Sequence, residues 1–166
     1  MQHVWLRWKK FVNLISLGNM VLNKDFKEFI ELLNYHEVQY IVVGGYAVAF
    51  HGYPRYTNDI DFWILPNPTN AEKLLTVLRD FGFESLDISI KDFTHPNNVI
   101  QLGQPPYRID LITSVSGVDF QECLSATIES TLDGVPVRFI SLEDLKKNKR
   151  ASGRLKDLND IEELGG

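Results

Sequence analysis

The sequence predicts an α/β (α+β) domain, a mixed β-sheet flanked by helices. Three observations predict it. Two short apolar runs, Tyr40 to Val43 and residues 60–65, are bounded by glycine or proline, as buried strands are. Other stretches space their apolar residues for a helix: Phe26, Phe29, Ile30 and Leu33, then Leu74, Leu75 and Leu78. Asp133-Gly134 separates two further apolar segments and is a strong two-residue hairpin signal.

Each element follows from local chemistry. Asn23 is an N-cap for the first helix, which ends near Tyr35. The strand 40–43 stops at Gly44-Gly45, and a short helical piece over 47–50 is closed by Gly52 and Pro54. Pro66 and Pro68 end the strand 60–65. An amphipathic helix over 70–81 follows, with Gly82 after its end. Pro105-Pro106 separates strands over 99–102 and 108–112. A short helix spans 120–126, and the hairpin strands cover 127–132 and 135–140. Ser141 and Asp144 start a last helix, which runs to about Leu164 with a break at Gly153.

Composition bounds the function. The chain has 166 residues, 44% of them hydrophobic and 23% charged, which suits one domain with one core. Its single cysteine, Cys123, excludes an internal disulfide framework, and a reducing cytoplasm is the expected home. No apolar run approaches the roughly 20 residues of a membrane-spanning helix, so no membrane is expected. The net charge of −5 disfavours broad nucleic-acid binding. A local basic patch runs from Lys146 to Lys156. It is either a solvated helix face or a surface for one polyphosphate. Residues 1–19 differ in composition, with Arg7, Lys9 and Lys10 and no acid. They are expected to be an extension ahead of a start at Met20, with the domain itself over 20–166.

The chemistry concentrates at three places. Asp59 and Asp61 flank Ile60, so on a strand both carboxylates face one side. Like charges this close repel unless a cation lies between them, and Mg²⁺ suits oxygen ligands beside phosphates. A bare Asp-x-Asp is more often a pair of solvent-facing acids. Gly44-Gly45 lies between a buried strand and a helix, where a backbone can approach an anion; alone it would be a simple tight turn. Asp110 alternates with Ile109 and Leu111. It would share a face with Asp59 and Asp61 if the strands are neighbours, and would otherwise be an ordinary exposed acid.

Together, Gly44-Gly45-Tyr46-Ala47-Val48-Ala49, then Arg55-Tyr56-Thr57-Asn58-Asp59-Ile60-Asp61, resemble the glycine and paired-carboxylate motifs of the nucleotidyltransferase superfamily. Asp110, within Arg108-Ile109-Asp110-Leu111-Ile112, matches that family's third carboxylate. Within that superfamily the closer likeness is to small bacterial members, the abortive-infection toxin–antitoxin-associated and the antibiotic nucleotidyltransferases. Those also carry Arg and Thr before the Asp pair, here Arg55 and Thr57. They share a C-terminal segment, here Lys149 to Asp157 with Gly153-Arg154 and Lys156. The resemblance covers residues 21–164. It departs from the family at one point: Gly45 stands where many members have a phosphate-binding serine, which leaves more of that work to backbone N–H groups.

The resemblance implies the nucleotidyltransferase fold and transfer of an NMP from an NTP, ATP included, to an acceptor hydroxyl. It implies Asp59, Asp61 and Asp110 as catalytic, metal-holding residues for Mg²⁺ or Mn²⁺. Gly44, Gly45, Arg55, Thr57, Lys149 and Arg154 become nucleotide-binding candidates. His51 is expected to serve a helix end rather than a nucleotide. The acceptor stays open among a small molecule, a protein and a tRNA end, and a partner protein or an oligomer interface would help bind it. The alternative is a non-catalytic, antitoxin-like or regulatory binding module on the same fold.

Overall fold

The computed structural model describes residues 22–166. Residues 1–21 lie outside that range, and with them the expectations for an extension over 1–19 and a start at Met20. Along the chain run α1 (Lys24–Tyr35), β1 (Tyr40–Val43), α2 (Gly44–Phe50), β2 (Asp59–Ile64), α3 (Pro68–Asp80), α4 (Ile90–Thr94) and β3 (Val99–Leu102). β4 (Arg108–Ile112), α5 (Phe120–Ser125), β5 (Ile128–Leu132), β6 (Val135–Phe139), α6 (Leu142–Ser152) and α7 (Leu155–Glu163) complete it.

The caps were legible. Asn23 Oδ1 accepts from Asp25 N at 2.8 Å, and Ser141 Oγ accepts from Asp144 N at 3.1 Å. α3 starts earlier than its apolar pattern suggests. Asn67 caps it by accepting from Asn70 N at 2.8 Å, and Pro68 opens it, where a missing N–H costs nothing. α2 also starts earlier, at the glycines themselves. Asp133 and Gly134 both have positive φ, 49° and 79°, as a type I′ hairpin turn requires. Gly153 is left-handed at φ 66° and separates α6 from α7 as expected. α4 was not anticipated from the sequence: five residues are too few for a readable period, and its signal is the Ser89–Asp92 capping box.

The sheet has six strands in the order β3-β4-β2-β1-β6-β5. β1 pairs antiparallel with β2 and parallel with β6; β2 pairs parallel with β4. β3–β4 and β5–β6 are antiparallel. Helices cover both faces, which is why all four residues of β1 are buried. On one face Phe29 of α1 meets Phe62 with ring centroids 5.7 Å apart. On the other, Phe120 of α5 meets Trp63 at 5.1 Å.

One polar side chain ties the core together. Asn70, nearly fully buried, accepts from Gln39 N at 2.8 Å and donates to Gln39 O and Leu65 O, each at 3.0 Å. It thereby joins the start of β1, the end of β2 and α3. Asn70→Ala should cost about 1 to 3 kcal/mol in urea unfolding, because it removes three hydrogen bonds and leaves Gln39 N without its partner, while Gln39 O and Leu65 O keep their bonds from Leu65 N and Asn67 N. Asn70→Asp should cost at least as much at neutral pH, since a carboxylate would face two carbonyls.

Candidate active site

The register of the three central strands builds the site. In the β1–β2 pair Val43 lies opposite Asp61, so the β1–α2 turn folds over the paired acids. In the β2–β4 pair Asp59 lies beside Arg108 and Asp61 beside Asp110. Residues two apart on a strand, and residues paired across strands, share a face. Asp59, Asp61, Arg108 and Asp110 therefore occupy one patch on one face of the sheet.

The glycines fit against this patch. Gly44 has φ +65°, and a Cβ there would overlap the carboxylate of Asp61. A Cβ on Gly45 would stand 2.9 Å from Thr57 Oγ1. Thr57 itself donates to Asp59 O at 3.1 Å, bracing the turn before β2. Each glycine thus leaves room for a motif residue from the next strand segment.

Arg108 is the cation of the patch, a part the sequence reading did not assign. Its Nε donates to Asp110 Oδ1 at 2.6 Å; its Nη2 donates to Asp110 Oδ2 at 3.0 Å and to Asp59 Oδ2 at 2.8 Å. These charge-assisted bonds offset part of the repulsion among the acids. Asp61 makes no such bond to Arg108. Burial first, then the charges of Asp110 and Asp59, push its pKa up to about 7; Lys149 and Arg108 pull the other way.

Lys149, Arg55 and Arg154, nucleotide-binding candidates of the sequence, each bond an acid of α7. Lys149 is only 4% exposed and donates to Asp157 Oδ1 at 2.6 Å, with Asp160 Oδ2 at 3.0 Å. Arg55 donates to both oxygens of Asp160, at 2.9 and 3.2 Å. Arg154 donates to Asp157 Oδ2 at 2.7 Å and leaves its side chain 77% exposed. Asp157 is held down to about 2: burial opposes ionisation, and the bonds from Lys149, Ser152 and Arg154 outweigh it. This cluster pins α7 beside the patch. Of the three cations, Lys149 is the one whose charge reaches Asp61. The basic patch is therefore neither wholly solvated nor wholly free. Asp157 and Asp160 were missed as functional neighbours, although acids three apart on a helix with basic residues upstream were a signal. His51 caps the end of α2, with Nε2 2.7 Å from Ile140 O, as expected.

The donor chemistry fits a hard divalent cation: three carboxylates on one face, one of them destabilised as an anion by burial and by its like-charged neighbours. Among the described residues, however, no three acid, His or Cys side chains are already gathered as a metal cage. A cavity of about 350 Å³ adjoins the patch, with Tyr56, Asn58, Asp59, Pro106, Arg108 and Lys156 in its wall. No helix among the described residues is long and apolar enough to cross a membrane.

A raised Asp61 pKa has a signed consequence. Between its unfolded value of 3.8 and about 7, the native state binds more protons than the unfolded one. Stability should fall as pH rises through that window and then level off. Asp61→Asn should remove this part of the slope and be more stable than the parent at pH 8 by about 1 to 3 kcal/mol, discounted because Asp61 keeps some solvent contact. Denaturant midpoints at pH 5 and pH 8 check it.

Comparison with known proteins agrees with the fold. A solved candidate nucleotidyltransferase from Thermotoga maritima superposes with a TM-score of 0.55 at 16% identity, over 84% of this chain and 87% of that one. An antigenic nucleotidyltransferase-like protein from Paracoccidioides brasiliensis gives 0.48 at 24% identity, over 81% and 69%. No curated protein matches the chain in sequence. The family model described as a nucleotidyl transferase of unknown function (DUF2204) matches residues 22–165, and the chain belongs to that family.

Proposed function

We propose that this protein transfers a nucleoside monophosphate from an NTP to an acceptor hydroxyl and releases pyrophosphate. The observation that carries the reading is the placement of Asp59, Asp61 and Asp110 on one face of adjacent strands, under a glycine turn. Asp59 and Asp61 would hold a Mg²⁺ or Mn²⁺ ion on the triphosphate, and Asp110 would serve the acceptor side. Bound there, the ion would neutralise phosphate charge and make the acceptor hydroxyl easier to deprotonate. Gly44 and Gly45 would offer backbone N–H groups at the start of α2 to a phosphate, in place of a serine hydroxyl. Asp110 would take the acceptor's proton. The cavity beside Asp59 and Arg108 would give a small acceptor a place next to the patch. Lys149 would act through Asp61 and through the position of α7 rather than by touching phosphate. Arg154, paired with Asp157 through Nε but 77% exposed in its side chain, is the phosphate candidate of the C-terminal segment.

A second reading has its own support. Arg108 bonds both Asp59 and Asp110 and offsets part of their charge. A binding module that holds a partner protein, as in a toxin–antitoxin pair, needs no more than that.

Two measurements separate the readings. ATP with Mg²⁺ should raise the thermal midpoint of a transferase by mass action, and Asp59→Ala with Asp61→Ala should abolish the rise without unfolding the protein. An undiminished rise in the double variant would exclude these acids as the site. Asp110→Asn should keep ATP affinity within a few-fold, read by calorimetry, and lower product formation by at least about 100-fold. A binding module would show neither the ATP-dependent rise nor any turnover to lose.

A further inference from the structure

The Arg108 clamp has consequences for how the carboxylates meet a divalent cation. All three of its bonds end on carboxylates that the proposed reaction uses: on both oxygens of Asp110 and on Oδ2 of Asp59. A guanidinium cannot lose its proton at any working pH, so it cannot neutralise itself to make way. An ion bound to the same oxygens would sit within a few ångströms of that fixed charge, where like-charge repulsion is strong. The two cations therefore compete for both oxygens of Asp110 and for Oδ2 of Asp59. The clamp is also built by the register and not by chance rotamers. Arg108 is the cross-strand neighbour of Asp59 and lies two residues before Asp110 on the same face. Its side chain is 31% exposed and borders the cavity of about 350 Å³, so it has space to leave without opening the core.

On these grounds we infer that Arg108 is a resident counter-ion, competing with divalent cations for Asp59 and Asp110 and positioning both carboxylates while no metal is bound. The inference rests on the transferase reading only in taking those acids as metal ligands. It makes Arg108 a residue that sets how weakly the protein takes metal.

The test measures Mn²⁺ alone, through the electron paramagnetic resonance signal of the free ion, against the full chain. Arg108→Gln should bind Mn²⁺ at least about 10-fold more tightly than the parent, the scale of losing charged hydrogen bonds. Adding Asp59→Asn to that variant should remove the gain. Equal Mn²⁺ affinity in the parent and in Arg108→Gln overturns the inference. If Arg108→Gln does not fold, the parent itself decides. Titration with Mg²⁺ should shift the Arg108 Nε–H resonance from its carboxylate-bonded position, and an unmoved resonance at saturating Mg²⁺ overturns the inference equally. Thermal shift with ATP and Mg²⁺ keeps the two ideas apart. A normal ATP effect without any gain in Arg108→Gln removes the counter-ion and leaves the transferase. A gain in Arg108→Gln without an ATP effect supports the counter-ion and removes the transferase.

Discussion

Like-charge repulsion among three carboxylates is the constraint around which the centre of this protein is arranged. The parallel pairing of β2 with β4 sets Asp61 beside Asp110, and the β-strand repeat sets Asp59 on the same face. Left in a half-buried patch, such a group would shed negative charge by taking protons up. The structure answers in two ways. Arg108 bonds Asp59 and Asp110 directly, and Asp61, without that bond, carries a pKa lifted to about 7.

Neighbouring features make sense in relation to that patch. Gly44 has no side chain because Asp61 occupies the space one would fill. Gly45 makes room for Thr57, and Thr57 holds the approach to β2. Lys149 brings a buried positive charge near Asp61, and that charge is itself tolerable only because Asp157 and Asp160 flank it. Arg55 meets Asp160 from the segment just before β2, so the C-terminal helix and the carboxylate strand are tied by one ion network. Removing one partner from such a network leaves a buried charge uncompensated, which is costlier than the network is stabilising.

This arrangement bears on how the chain would hold an anion with glycine at position 45. A hydroxyl ligand to phosphate is absent at position 45, and the space is taken by Thr57. The local positive charge is also largely committed: Lys149 to Asp157 and Asp160, Arg55 to Asp160, Arg108 to Asp59 and Asp110. Anion binding by this patch would then depend on exchanging existing ion pairs, and such exchanges respond to ionic strength less than exposed pairs do.

Much of the fold was legible locally. Apolar spacing marked α1 and β1, and the pair Asp133-Gly134 marked its hairpin, because side-chain period and turn stereochemistry are properties of a few adjacent residues. The starts of α2 and α3 were less legible, since caps at Val43 and Asn67 lie ahead of the apolar pattern. The motif also nominated Asp59, Asp61 and Asp110 as a set. What the sequence alone determined was thus the element types and the residues able to carry charge chemistry. Tertiary structure decided which charges meet. Arg108 and Asp59 are 49 positions apart, and Arg55 and Asp160 are 105 apart. Their pairing depends on strand order, register and helix docking. Those are set by burial of the whole core, and no local window of sequence contains that information.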